Sequence, residues 1–197
     1  RADIVAAEDI FVLNLGSLKG KTVRREVDHV RSLVADVPYD IIKAHRNVTL
    51  CFDIMFVNKI PFLVTVSRAL RFGTTERLIT RRADVVGKGL RHVITLYRQR
   101  GFRVQECHGD GEFESLRADL ADLGTQLNVT AEDEHVPEVE RYIRTLKERA
   151  RSAYNVVPFT RMPGMMIVEL VHASNYWLNM FPANDGVSAI LSPPAES

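Results

Sequence analysis

Three carboxylates, one of them set inside an apolar run, together suggest metal-assisted phosphoryl chemistry. Asp53 lies inside the apolar run VTLCFDIMFV, Asp110 inside HGDGEF, and Glu140 inside HVPEVERYIRTLKERAR. A carboxylate buried mid-strand costs several kcal/mol unless it is hydrogen-bonded, paired or bound to a metal. A structural, hydrogen-bonded Asp53 is the competing account. Asp110 sits between Gly109 and Gly111, which allow a tight turn or the close approach of a backbone or ligand; such a turn is also common without any site. Glu140, Arg144, Lys147 and Arg151 fall at i, i+4, i+7 and i+11, so on a helix they stack along one side. That ladder reads either as surface ion pairing or as a metal-binding acid followed by phosphate-binding cations. If brought together, three carboxylates can hold two divalent ions about 4 Å apart, one activating a nucleophilic oxygen and one steadying the leaving oxygen. Oxygen-only ligation favours Mg2+ or Mn2+ over zinc.

The elements that must position these acids can be read from periodicity. In Val48–Val57 both alternating faces are apolar, as in a strand covered on both sides. Asn58-Lys59 makes a turn, Ile60–Ser67 a second strand, and Leu70–Ile79 a third, giving an antiparallel meander. Val85, Val86, Leu90, Val93, Ile94 and Tyr97 mark a helix over Asp84–Gln99, stopped by Gly101. Phe102–His108 is a fourth strand that delivers Asp110 at its carboxyl end, where open α/β sheets place ligands. Glu114–Leu123 is a helix stopped by Gly124, and Gln126–Thr130 a fifth strand. After the acidic loop AEDEH, Pro137 suits the first turn of the helix carrying Glu140. A last helix over Pro163–Asn179 has Met166, Leu170, Ala173 and Trp177 as its expected inner stripe. This order lets Asp53 and Asp110 meet on adjacent parallel strands with Glu140 leaning over them.

Composition sets wide bounds. With 197 residues, 46% apolar and 26% charged, the chain reads as one substantial globular domain with a short appendage. No apolar run approaches the roughly 18 residues of a membrane span, so no membrane is expected as a partner. The chain opens Arg1-Ala2-Asp3 without Met or a signal peptide, the start expected of a fragment of a longer product. Cys51 and Cys107 are too few for a disulfide scaffold or a CxxC-type zinc site and suggest a reducing interior. The net charge of +1 is small, but its distribution is uneven. Ten Lys/Arg and two acids occupy Arg68–Arg103, ten acids and one Arg occupy Glu106–Glu138, and six Lys/Arg and one acid occupy Arg141–Arg161. An acidic segment between basic ones suits a metal site flanked by phosphate-binding surface, and equally an ordinary uneven surface. Residues 1–45 carry the basic cluster GKTVRR and a short helix over Val27–Ala35, and read as a linker or docking segment.

From residue 46 onward the chain resembles the integrase catalytic core of copia-type long-terminal-repeat retrotransposon polyproteins. Asp53 in its strand is one matching piece. Asp110-Gly111-Glu112-Phe113 resembles the family's D-N-G-G-E-F, and Glu140-Arg141 with Arg144-Thr145-Leu146 resembles its E-R-x-x-R-T-L. The closing NYWLNMFPANDGVSAILSPP resembles the family's final helix and SP ending. The resemblance implies an α/β, ribonuclease-H-like fold: a five-stranded mixed sheet flanked by helices, over residues 46–197. It implies Asp53, Asp110 and Glu140 as catalytic metal ligands for Mg2+, with Mn2+ as a substitute. It maps the grip on element-end DNA to Arg144 and Lys147, with target DNA as the second partner; Arg141 and Arg151 of the same basic helix are further DNA-binding candidates. It further implies a homo-oligomer acting in the nucleus and in a cytoplasmic virus-like particle.

Two departures are visible. Asp53 and Asp110 are separated by 56 residues, ordinary for the family, but Asp110 and Glu140 by only 29, which is shorter than usual. Upstream, Asn14 and Ser17 stand where the family's zinc module ends in C-x-x-C, so residues 1–45 read as a remnant without ligands and no zinc is expected. The expected function is DNA integration by a Mg2+-dependent polynucleotidyl transferase. The alternatives are a decayed or domesticated DNA-binding relic of that core, and a nuclease of the same fold that cleaves without joining.

Overall fold

The run containing Asp53 forms the middle strand of the sheet. The computed structural model describes residues 37–129, 136–158, 161–181 and 186–187. The Val27–Ala35 helix, the GKTVRR cluster, Asn14, Ser17, Thr130, the AEDEH loop and residues 188–197 lie outside them. In chain order the elements are α1 (Tyr39–His45), β1 (Asn47–Val57), β2 (Ile60–Ser67), β3 (Gly73–Arg77), α2 (Ala83–Gln99) and β4 (Arg103–Gly109). A 3-10 segment (Gly111–Leu116), α3 (Arg117–Asp122), β5 (Gln126–Val129), α4 (Pro137–Val156) and α5 (Gly164–Asn179) follow. The strand order is β3-β2-β1-β4-β5. The meander β1-β2-β3 is antiparallel, while β4 and β5 join parallel to β1.

Local chemistry explains the boundaries. Asn58 and Lys59 both adopt positive φ, of 49° and 66°, as a two-residue hairpin turn matching strand twist requires. Gly101, at φ 87°, ends α2: its N–H donates to Arg98 O and that of Phe102 to Tyr97 O, both at 3.0 Å, satisfying carbonyls left open at the helix end. Gly124 closes α3 in the same way. The expected third strand is trimmed to Gly73–Arg77, and the expected Glu114–Leu123 helix is entered through the 3-10 segment. The helix carrying Glu140 continues past Arg151 to Val156.

Each face of the sheet packs a separate core. On one side Leu50, Phe52, Leu63 and Cys107 meet Val86, Leu90, Ile94 and Tyr97 of α2 and Leu120 of α3. Val37, Ile41 and Ile42 add to this side, so the end of the 1–45 segment packs on the core. On the other side Cys51, Met55, Phe62, Val64 and Val66 meet Val139, Ile143 and Leu146 of α4 and Val168 and Val171 of α5. Each fully buried aliphatic side chain contributes roughly 1.5–3 kcal/mol, which fixes α4 across the face that Cys51 and Asp53 share.

The inner stripe of α5 differs from the expected one. Ile167, Val168, Val171, Ser174, Asn175 and Asn179 are buried, whereas Met166, Ala173 and Trp177 are exposed and Leu170 is half-buried. The cause is polar. Gly73 opens edge strand β3, and its carbonyl accepts from Asn175 Nδ2 (3.0 Å) and Asn179 Nδ2 (2.7 Å). Its N–H donates to Asn179 Oδ1 at 3.0 Å, and Tyr142 Oη of α4 donates to Asn175 Oδ1 at 2.8 Å. Buried backbone groups must be satisfied, so the helix turns its asparagines inward and Trp177 outward.

Candidate active site

Register places the first two acids. Cys51 of β1 pairs with His108 of β4 on the parallel neighbour, and Asp53 and Asp110 each lie two residues beyond that pair. Side chains alternate across a strand, so both acids belong to the face covered by α4. Gly109, just before Asp110, is required by packing: a Cβ there would stand 2.6 Å from the Phe52 ring. The close approach expected at this glycine is therefore made by an aromatic side chain from β1. Gly111 needs no special backbone conformation and simply starts the 3-10 segment.

Asp53 is half-buried, and its Oδ1 accepts from the N–H of Ile54 at 2.6 Å. Burial pushes its carboxyl up to about 6, against the pull of that N–H, and the charges of Asp110, Glu112 and Glu140 push it further in the same direction. The four carboxylates thus share one electrostatic neighbourhood between the middle of β1 and the carboxyl end of β4. Such mutual repulsion is relieved by a cation. Among the described residues, no three acid, His or Cys side chains close into a metal-holding cluster. The donor set consists of hard oxygens and suits Mg2+ or Mn2+.

Glu140 occupies the first turn of α4, on its exposed side. The turn is anchored two residues earlier. Glu138 pairs with Arg68, which follows β2, at 2.8 Å. Burial raises the Glu138 carboxyl, but its own backbone N–H and the charges of Arg68 and Arg71 outweigh that and hold it below its ordinary value. Burial also pushes the Cys51 thiol beneath this turn up to about 11, leaving it unreactive at neutral pH.

The expected basic face is present on α4. Arg141, Arg144 and Arg151 are exposed and Lys147 is half-buried. Arg141 turns back, its Nε donating to Pro137 O at 3.3 Å. Lys147 and Arg151 instead line a cavity with Arg161, next to the β1–β2 turn. Sequence reading missed Glu112 as a neighbour of Asp53, although it lies in the quoted DGEF stretch. It also missed Arg81, which pairs with Glu112 at 2.6 Å and lies over the Phe56 ring at 5.6 Å. No periodicity announces these long-range partners.

No protein-family model matches this chain, and no curated protein does. Among solved structures it is similar to the catalytic core domain of BIV integrase, with a TM-score of 0.54 and 17% identity over 74% of this chain and 90% of that one. At that identity the likeness defines the fold: a ribonuclease-H-like integrase-core architecture, with five mixed strands and flanking helices.

Proposed function

We propose that the chain is a divalent-metal-dependent polynucleotidyl transferase of the retroviral integrase superfamily, processing retroelement DNA ends and joining them to target DNA. The observation that carries this reading is that Asp53 of β1 and Asp110, just past β4, each lie two residues beyond the Cys51–His108 pair of these parallel strands, and that Asp53 feels the charges of Asp110 and Glu140. The fold it shares with the BIV integrase core supports it. The D-G-E-F and E-R-x-x-R-T-L-like stretches support a copia-type origin. That origin implies an intracellular setting, nucleus and virus-like particle, which locating a tagged chain in cells would test. Asp53, Asp110 and Glu140 would hold Mg2+ or Mn2+, which when bound supplies activation of the attacking oxygen and neutralisation of the leaving one. The chain's own share is positional. β1 and β4 hold two acids in register, the Arg68–Glu138 pair holds the first turn of α4, and Arg144, Lys147 and Arg151 offset the repulsion between DNA phosphates and the acids.

The test is joining of a duplex oligonucleotide with a recessed 3′-OH to supercoiled plasmid in Mg2+ or Mn2+. Joining by the unaltered chain and none by Asp110→Asn supports the proposal. Cleavage without joining would favour the nuclease, and DNA binding without metal-dependent reaction would favour the relic.

We assign a homo-oligomer to the active form. Met166, Tyr176, Trp177 and Phe181 present large apolar surface outward from α5 and just beyond it, the kind of patch that marks association sites. Light scattering showing a monomer at micromolar concentration would contradict it.

A further inference from the structure

A cavity of about 720 Å³ opens between the β1–β2 turn, the second half of α4 and the start of α5. Lys147, Arg151 and Arg161 supply three cations to its lining, and no acid lines it among the described residues. Phe56, Tyr154 and Leu170 give it an apolar and aromatic wall. The volume is in the range of small-molecule sites and suits one or two nucleotides. Phe56 also connects this cavity to the acids. Its ring carries Arg81, which is paired with Glu112, one of the charges felt by Asp53.

We infer that this cavity binds an unpaired nucleic-acid segment, its phosphates on Lys147, Arg151 and Arg161 and a base against Tyr154. The inference rests on the DNA-acting reading above and narrows it to a single-stranded segment held along the second half of α4. Cations that track a backbone, together with an aromatic face, are the recurring means of holding single strands without regard to sequence. A duplex can reach the cations at the rim, such as Lys147, but its stacked bases offer no face to Tyr154 and its phosphates do not follow the wall in to Arg161. Arg161 belongs to this cavity and not to the Glu140 ladder, so it separates the two kinds of binding.

The experiment is fluorescence anisotropy with the full chain in EDTA-containing buffer, using short oligothymidylate and a mixed-sequence duplex of equal length. Arg161→Ala should weaken oligothymidylate binding about tenfold and leave duplex binding unchanged. Tyr154→Ala should weaken it comparably and Tyr154→Phe should not, with unchanged melting temperatures showing that the variants are folded. Absence of oligothymidylate binding, equal losses on both probes, or equal damage by the Phe and Ala variants would overturn the inference. Because these measurements need no metal or catalysis, the inference can fail while joining succeeds, and can hold while joining fails.

Discussion

Asp53 and Asp110 each lie two residues past a paired Cys51 and His108, on parallel strands that share the face under α4. Two acids so placed repel one another, and burial of Asp53 adds to the cost. A metal site lowers that cost when filled; without a cation the cost appears as lost stability.

The first prediction follows from the sign of that shift. The Asp53 carboxyl titrates near 6 in the folded chain and near about 3.9 when unfolded. Between those values the folded state holds a proton that the unfolded state has released. Stability therefore falls as pH rises through that window. In EDTA, Asp53→Asn should remove this slope and raise stability at neutral pH by on the order of 1–2 kcal/mol after allowing for solvent screening. Thermal melting on either side of pH 6 checks it; an unchanged slope in the variant would contradict the assignment.

Glu138 provides a second prediction. Its carboxyl is held below its ordinary value, so its contribution is present above the unfolded pKa and is lost as pH falls through the folded one. Arg68 is well exposed, at 45%, which keeps the pair modest. Glu138→Gln should cost about 1 kcal/mol and slow joining through displacement of Glu140. A double-mutant cycle with Arg68→Gln, read by denaturant melts and joining rate, should show coupling in both; additivity would remove Glu138 from the positioning role.

Third, the basic face of α4 should act through phosphate charge. Replacing Lys147 or Arg144 by Ala should weaken duplex DNA binding about uniformly across sequences and make log Kd less salt-dependent by about one counterion each. Titrations over a range of salt concentrations measure the slope, and an unchanged slope would place the phosphates elsewhere.

Much of this architecture was legible in the sequence because it depends on local pattern. β2 was readable to the residue from Ile60–Ser67, and β1 and α2 to within one residue, since apolar alternation and a 3.6-residue period mark them directly. Glycine stops at Gly101 and Gly124 were readable for the same reason. The face of α5 was not. Its orientation is set by Asn175 and Asn179 bonding to Gly73, about a hundred residues away, and a hydropathy stripe cannot anticipate a polar demand from an edge strand. Asp53 and Asp110 were legible as anomalies, an acid in an apolar run and an acid between glycines. Glu112, Arg81, Arg161 and the Arg68–Glu138 pair were not, because each acquires its role only through a distant partner.

Direct metal binding tests the central claim most closely and does not depend on knowing the DNA ends. Mn2+ titrated into the metal-free chain, followed by electron paramagnetic resonance, should show saturable binding and raise the melting temperature. Asp53→Asn, Asp110→Asn and Glu140→Gln should each weaken that binding strongly. Mn2+ binding that is absent from the unaltered chain, or equal in the Asp110→Asn variant, would contradict the account.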